Sequence, residues 1–211
     1  MLSGTSNFVK EVDGVFLFIL GISVALLILI TVLMITFVIK YNRKKNPKPK
    51  NIKGNTLLEI IWTVIPTILV VGMFYYGWYG YKKMTAAPKD SFTIDVTGRM
   101  WKWEFNYPNG LKTDTLVVPL NKPIKLNLNS LDVNHSFFIP AFRIKKDVIP
   151  NKNNSIWFIG QEKGIYDIAC AEYCGLQHSY MYSKIYVVDS LEFENWYKNI
   201  SSRDSNKVVS Q

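Results

Sequence analysis

Cysteine and histidine are scarce in this sequence of 211 residues, with two of each. Two cysteines exclude a disulfide-dense scaffold and allow one bridge at most. No C-x-x-C-H segment occurs, which excludes a covalently attached c-type haem on these residues. Internal repeats and extended low-complexity segments are also missing. Two further absences are local. Residues 15–39, "VFLFILGISVALLILITVLMITFVI", contain no charge, and neither do residues 60–81, "IIWTVIPTILVVGMFYYGWYGY". Residues 40–53, "KYNRKKNPKPKNIK", contain seven basic residues and no acid.

Each uncharged run exceeds the roughly 20 helical residues that cross a bilayer core, so both are expected to span. A cleaved signal peptide fits poorly, because its apolar region is about 7–15 residues and follows a basic start. Here Lys10, Glu11 and Asp13 precede the run, and no small-residue cleavage site follows it. Basic loops stay on the cytoplasmic side. The expected topology is therefore a hairpin, with the N-terminus outside, the basic loop inside and everything after residue 81 outside. The net charge of +9 has the same source, since seven of its units lie in the loop. That distribution argues against a nucleic-acid partner.

Beyond a polar linker the periodicity changes. "SFTIDVT" (91–97) and "PIKLNLN" (123–129) alternate apolar and polar residues, the pattern of half-buried strands. "SIWFIG" (155–160), "GIYDIA" (164–169) and "SKIYVV" (183–188) add short β-branched and aromatic runs. Many short strands at this spacing predict an antiparallel sandwich or barrel. A short helix is expected after Asp189, an N-cap with Glu192 three residues on. The tail "SSRDSNKVVSQ" reads as disordered.

Both cysteines fall in "CAEYCGLQHSYM", residues 170–181. On an oxidising side the default for such a pair is a disulfide. That bridge would close a very short loop, restrain the unfolded chain little, and leave His178 and Met181 unexplained. Thiolate and thioether are soft ligands that select copper(I), and imidazole suits copper in either state. Zinc gains nothing from a methionine, and a single blue-copper centre needs only one cysteine. Two close thiolates can bridge two copper ions that share one unpaired electron, which keeps the geometry nearly constant on reduction. Such a centre needs a second imidazole. The other histidine, His135, is either a structural residue or an outward-facing ligand at the head of a strand "SFFIP" that meets loop 170–181.

The pattern C-x-E-x-C-G-x-x-H-x-x-M, preceded by D-V-x-H-S-F-x-x-P, resembles subunit II of the haem–copper cytochrome c oxidases. "NTLLEIIWTVIPTI" (55–68) is similar to the start of that family's second span, and "GRMWKWEFNY" (98–107) to its aromatic stretch. The copper motif alone is shared with nitrous oxide reductases, which lack the membrane hairpin. The resemblance implies an α+β membrane protein, a two-helix transmembrane hairpin followed by a cupredoxin-like Greek-key β-barrel. It implies a dinuclear copper A centre with Cys170 and Cys174 bridging, His135 and His178 each binding one ion, Met181 a weak ligand, and the Glu172 carbonyl completing the set. The Glu172 side chain would reach a magnesium or manganese ion shared with subunit I, unless it is a solvated loop acid. Glu59 matches a glutamate at the mouth of a proton pathway, or is a solvated boundary residue. Trp101 matches the exposed tryptophan at which electrons enter, or is a packed aromatic.

The expected organisation is an external segment 1–14, span 15–39, cytoplasmic loop 40–56, span 57–81, linker 82–90, copper domain 91–189, and a C-terminal helix and tail 190–211. Expected partners are oxidase subunit I, other oxidase subunits, the lipid bilayer, and cytochrome c or a cytochrome c domain as donor. A bacterial plasma membrane, with the copper domain outside, is favoured over a mitochondrial inner membrane. The family implies oxygen reduction and proton pumping in a terminal oxidase, with the oxygen site in another subunit. Rival readings are the copper A subunit of a nitric oxide reductase and a membrane-anchored copper carrier or structural zinc protein. A quinol oxidase subunit II lacks the ligands. The chain departs from the family at Lys102, where an aromatic is frequent, and at Arg143 and Asn151, where glycine is usual. Residues 82–211 hold 17 basic against 13 acidic residues, a net of +4. This is unlike a face built for a basic cytochrome c.

Overall fold

The structure is a computed structural model, and it describes residues 4–48, 51 and 53–198. It divides into a helical unit, Glu11–Tyr81, and a β unit formed by the remaining residues on both sides of it.

The helical unit holds most of two long helices, α1 (Val9–Lys40) and α2 (Thr56–Thr85). At 1.5 Å per residue, the 32 residues of α1 extend about 48 Å, longer than a bilayer's hydrocarbon core. Apolar side chains point outward all round both helices, which suits a lipid surround and not an aqueous one. Helix α1 begins before the first uncharged run and so includes part of the segment expected to be external. Helix α2 continues through Lys82 and Lys83 into the expected linker. Asn55 caps α2, its Oδ1 accepting from Leu58 N–H at 3.2 Å. Phe18 near the start of α1 meets Tyr76 near the end of α2 edge to face, with ring centroids 5.4 Å apart, so the pair is an antiparallel hairpin.

The β unit contains β1 (Phe92–Arg99), β2 (Lys102–Asn106), β3 (Lys112–Thr113), β4 (Leu116–Pro119) and β5 (Pro123–Ser130). It continues with β6 (His135–Ile139), β7 (Ile144–Val148), β8 (Asn154–Ile159), β9 (Gly164–Cys170) and β10 (Tyr182–Val188). The orders are β3-β2-β1-β5-β8 in one sheet and β4-β10-β9-β6-β7 in the other. Alternation in β1 and β5 buries Ile94, Val96, Ile124, Leu126 and Leu128 between the sheets, as the pattern predicts. Phe137 packs edge to face on Trp103 across this core, and Phe142 does so on Phe158. The result is a cupredoxin-like sandwich of two facing sheets.

Two features differ from expectation. The sandwich is mixed and not purely antiparallel, because β1 pairs parallel with β5 and β10 pairs parallel with β4. The chain leaves the first sheet after β3, contributes β4 to the second, and returns beside β1. A returning strand of this kind runs parallel to its neighbour. The second feature is the N-terminal segment, which belongs to the β unit. Asn7 N–H donates to Ile159 O at 3.3 Å, and Ile159 N–H donates to Asn7 Oδ1 at 2.8 Å. Ser6 Oγ donates to Phe142 O at 2.9 Å, and Phe8 packs edge to face on Trp157 at 4.9 Å. This segment covers the open edge of β8, where unpaired backbone groups would otherwise face solvent.

Residues 190–198 are helical, with Phe193 N–H donating to Asp189 O at 2.9 Å. The tail expected to be disordered begins at residue 201 and lies outside the described residues. The two departures from family glycines coincide with left-handed backbone, φ being 59° at both Arg143 and Asn151. Glycine adopts that conformation without a Cβ penalty, and asparagine tolerates it better than most residues.

Candidate metal centre

The loop 171–181 joins the antiparallel partners β9 and β10, and β6 lies beside β9. Phe137 pairs with Cys170 in that register, which sets His135, two residues earlier, next to the loop. The loop is pinned by backbone bonds: Cys170 N–H to Met181 O at 3.1 Å, Ala171 N–H to Ser136 O at 2.9 Å, and His178 N–H to Gly175 O at 3.1 Å.

These constraints bring the soft donors together. Cys170 Sγ and Cys174 Sγ are 3.8 Å apart. That is far beyond the roughly 2.05 Å of a disulfide, and both are free thiols. It equals the span between two metal–sulfur bonds of about 2.3 Å meeting at a near-tetrahedral angle. His135 Nδ1 faces Cys170 Sγ at 3.8 Å, and His178 Nδ1 faces Cys174 Sγ at 3.5 Å. Met181 Sδ lies 3.8 Å from Cys174 Sγ, and the Glu172 carbonyl oxygen lies 3.3 Å from Cys170 Sγ. His135 and Met181 are 0% exposed, Cys174 4% and Cys170 8%. His135 thus meets the loop as a buried residue beneath it, not as an outward-facing one. Donor types, spacing and dryness fit copper held through sulfur and imidazole.

Electrostatics point the same way. Burial pushes the Cys174 thiol up to about 12, and the neighbouring Cys170 adds to the rise. A buried thiol held this close to a second one ionises readily only when a cation compensates it. Asp132 Oδ1 lies 2.8 Å from His135 Nε2, and its Oδ2 accepts from Met100 N–H at 2.6 Å. Partial burial raises the Asp132 carboxyl. The Met100 N–H, the His135 ring and the Val133 N–H outweigh that, and the net direction is down.

The remaining expected residues are placed as follows. The Glu172 side chain is exposed. Trp101 is half-buried, and its ring edge packs on the metal loop: a Cβ built on Gly175 would lie 3.4 Å from Cζ2 and Nε1 of the indole. Glu59 is exposed in the first turn of α2, within the helical unit. Two contributors were not singled out by sequence. Asp132 carried a usable signal, since it stands three residues before His135 in "DVNH". Gly98 carried none. A Cβ there would lie 3.1 Å from Trp103 and 3.2 Å from the His135 ring.

Comparison with known proteins decides the family. The model for cytochrome c oxidase subunit II, periplasmic domain, matches residues 67–188, and that for the transmembrane domain matches residues 1–77. The chain belongs to the cytochrome c oxidase subunit II family. It is 32% identical over 202 residues to a probable cytochrome c oxidase subunit 2 of Rickettsia bellii, covering 85% of this chain and 75% of that protein. It is 28% identical over 219 residues to cytochrome c oxidase subunit 2 of Cereibacter sphaeroides, covering 85% and 72%. The crystal structure of the periplasmic domain of subunit II of the Bradyrhizobium japonicum cytochrome oxidase superposes with a TM-score of 0.53 at 33% identity. That match covers 56% of this chain and 99% of the other. The chain is a subunit of a haem–copper oxidase, an oxidoreductase, with two membrane-spanning helices of the subunit II type.

Proposed function

We propose that this chain is the electron-accepting subunit of a respiratory terminal oxidase and holds two copper ions in a copper A centre. The observation that carries the reading is the paired sulfurs at 3.8 Å, each with an imidazole Nδ1 beside it, at 3.8 and 3.5 Å. Copper supplies there a one-electron carrier whose unpaired electron is shared between the two ions. Cys170, Cys174, His135, His178 and Met181, with the Glu172 carbonyl, would hold the copper. Burial of the donors keeps water from the sulfurs, so little rearranges when the charge changes. Asp132 holds the His135 ring so that Nδ1 faces Cys170 Sγ, where it would be available to copper.

Electrons arrive from cytochrome c or a cytochrome c domain at Trp101, which packs on the metal loop, and leave toward haem in subunit I. That subunit reduces oxygen and pumps protons. The exposed Glu172 carboxylate would help hold a magnesium or manganese ion shared with subunit I. Glu59 stands at the mouth of a proton path into that subunit. The β unit faces the external side of a bacterial plasma membrane and the basic loop 40–53 faces the cytoplasm, in line with the positive-inside rule. The test is anaerobic stopped-flow reduction of the purified oxidase by reduced cytochrome c. The near-infrared copper band should bleach before the haem bands change. Haem reduction that precedes or bypasses the copper band overturns the reading.

A further inference from the structure

A groove of about 900 Å³ runs from Trp101 along the β2–β3 edge to Trp196 of the C-terminal helix. Four cations line it: Arg99, Lys102, Lys112 and Lys184. Two acids, Glu104 and Asp114, oppose them. Lys112 has Glu104 at 3.6 Å, a solvent-exposed pair of little net worth. Lys184 is held by Asp167. Arg99 and Lys102 differ. They are exposed register partners at the closed end of the β1–β2 hairpin, flanking Trp101. Like charges directly opposite on paired strands destabilise the sheet. Among the described residues neither has an acidic partner within 4 Å. The hairpin thus holds two facing cations whose repulsion no acid among the described residues relieves, beside the indole that packs on the metal loop. The same groove exposes Tyr180, at the end of the short helical turn that starts at His178, and Tyr182 just beyond Met181. These flat rings can be covered at little conformational cost.

We propose that this groove is the docking site of an electron-donor protein with an acidic face, whose carboxylates lie between Arg99 and Lys102. The inference rests on the reading of the metal centre as the electron acceptor. In the docked complex one electron moves, so the donor's redox group is oxidised by one and the acceptor is reduced by one, with no bond or proton transferred. The charge pattern is opposite to what a lysine-ringed cytochrome needs, and it matches the net +4 of residues 82–211. Such complementarity acts chiefly on association and fades with salt.

The test uses one haem protein in two charge states, a basic mitochondrial-type cytochrome c and the same protein with its lysines succinylated. Binding of each to the immobilised, purified oxidase is measured by surface plasmon resonance from low to physiological ionic strength. The succinylated form should bind at least tenfold more tightly at low salt and lose that advantage as salt rises. The double substitution Arg99→Glu and Lys102→Glu should invert the preference. Lys122→Glu, before β5 and at its opposite end from Asp132, should not change it. The copper spectrum is recorded in parallel. An intact spectrum with no inversion, or a parent enzyme that prefers the basic form, overturns this proposal and leaves the metal centre standing. A parent oxidase without a copper A spectrum overturns the underlying reading instead.

Discussion

Asp132 grips His135 from behind: its Oδ1 lies 2.8 Å from Nε2, while Nδ1 of the same ring faces Cys170 Sγ. The carboxylate fixes the tautomer and makes the imidazole a stronger donor. Asp132→Asn keeps the shape and removes the charge. It should retain copper, raise the reduction potential, and lower copper affinity by about 10–100-fold. Because the Asp132 carboxyl lies below its usual value, its contribution to stability is complete above about pH 4 and is lost only as pH falls through the depressed value. Redox titration and competitive chelation of the variant check this. An unchanged potential and affinity would show that Asp132 merely fills space.

Gly98 is a matter of close approach. A methyl group there meets Trp103 at 3.1 Å and the His135 ring at 3.2 Å, and neither ring has room to retreat in the core. Gly98→Ala should cost about 1–3 kcal/mol of stability and broaden or shift the copper absorption. Thermal unfolding and optical spectra of the variant are the measurements. A parent-like spectrum and Tm contradict this role.

The raised Cys174 thiol gives a pH dependence of definite sign. In the copper-free chain the folded state keeps this proton up to about 12, whereas the unfolded thiol loses it near 8.5. The thiol's contribution to stability is therefore full below about pH 8.5 and declines as pH rises toward 12. The copper-loaded chain, whose thiolates are already ionised and compensated, should decline less. Denaturant unfolding of the stripped and loaded chain between about pH 7 and 10 measures both slopes. Equal slopes contradict the assignment of both thiols to the metal.

Glu59→Gln keeps the side chain's shape in the first turn of α2 and removes its charge. If Glu59 feeds protons to subunit I, turnover should fall several-fold while reduction of copper by the donor stays at the parent rate. Steady-state oxygen uptake beside stopped-flow reduction separates the two. Unchanged turnover makes Glu59 a solvated boundary residue.

Local patterns were legible in the sequence where the physics is local. Uncharged runs marked α1 and α2, period-two alternation marked β1 and β5, and soft donors at close spacing marked loop 170–181. What escaped depends on residues far apart in the chain. The pairing of Asn7 with Ile159 joins segments about 150 residues apart, and nothing in "SGTSNF" announces a sheet edge to cover. The parallel pairing of β1 with β5 follows from a sheet change that no strand encodes by itself. Gly98 reads as an ordinary strand glycine until His135 and Trp103 arrive beside it. Asp132 was legible in principle, since a carboxylate three residues before a ligand histidine can turn back to it.

The most direct test of the central claim is the copper content and spin state of the purified 211-residue chain. Two copper ions per chain are expected, with one unpaired electron whose hyperfine pattern reports two equivalent copper nuclei. Cys170→Ser or Cys174→Ser should abolish that signal, because a neutral hydroxyl does not replace a bridging thiolate. Met181→Leu should keep it with a shifted potential. One copper per chain, or hyperfine structure from a single nucleus, contradicts the account.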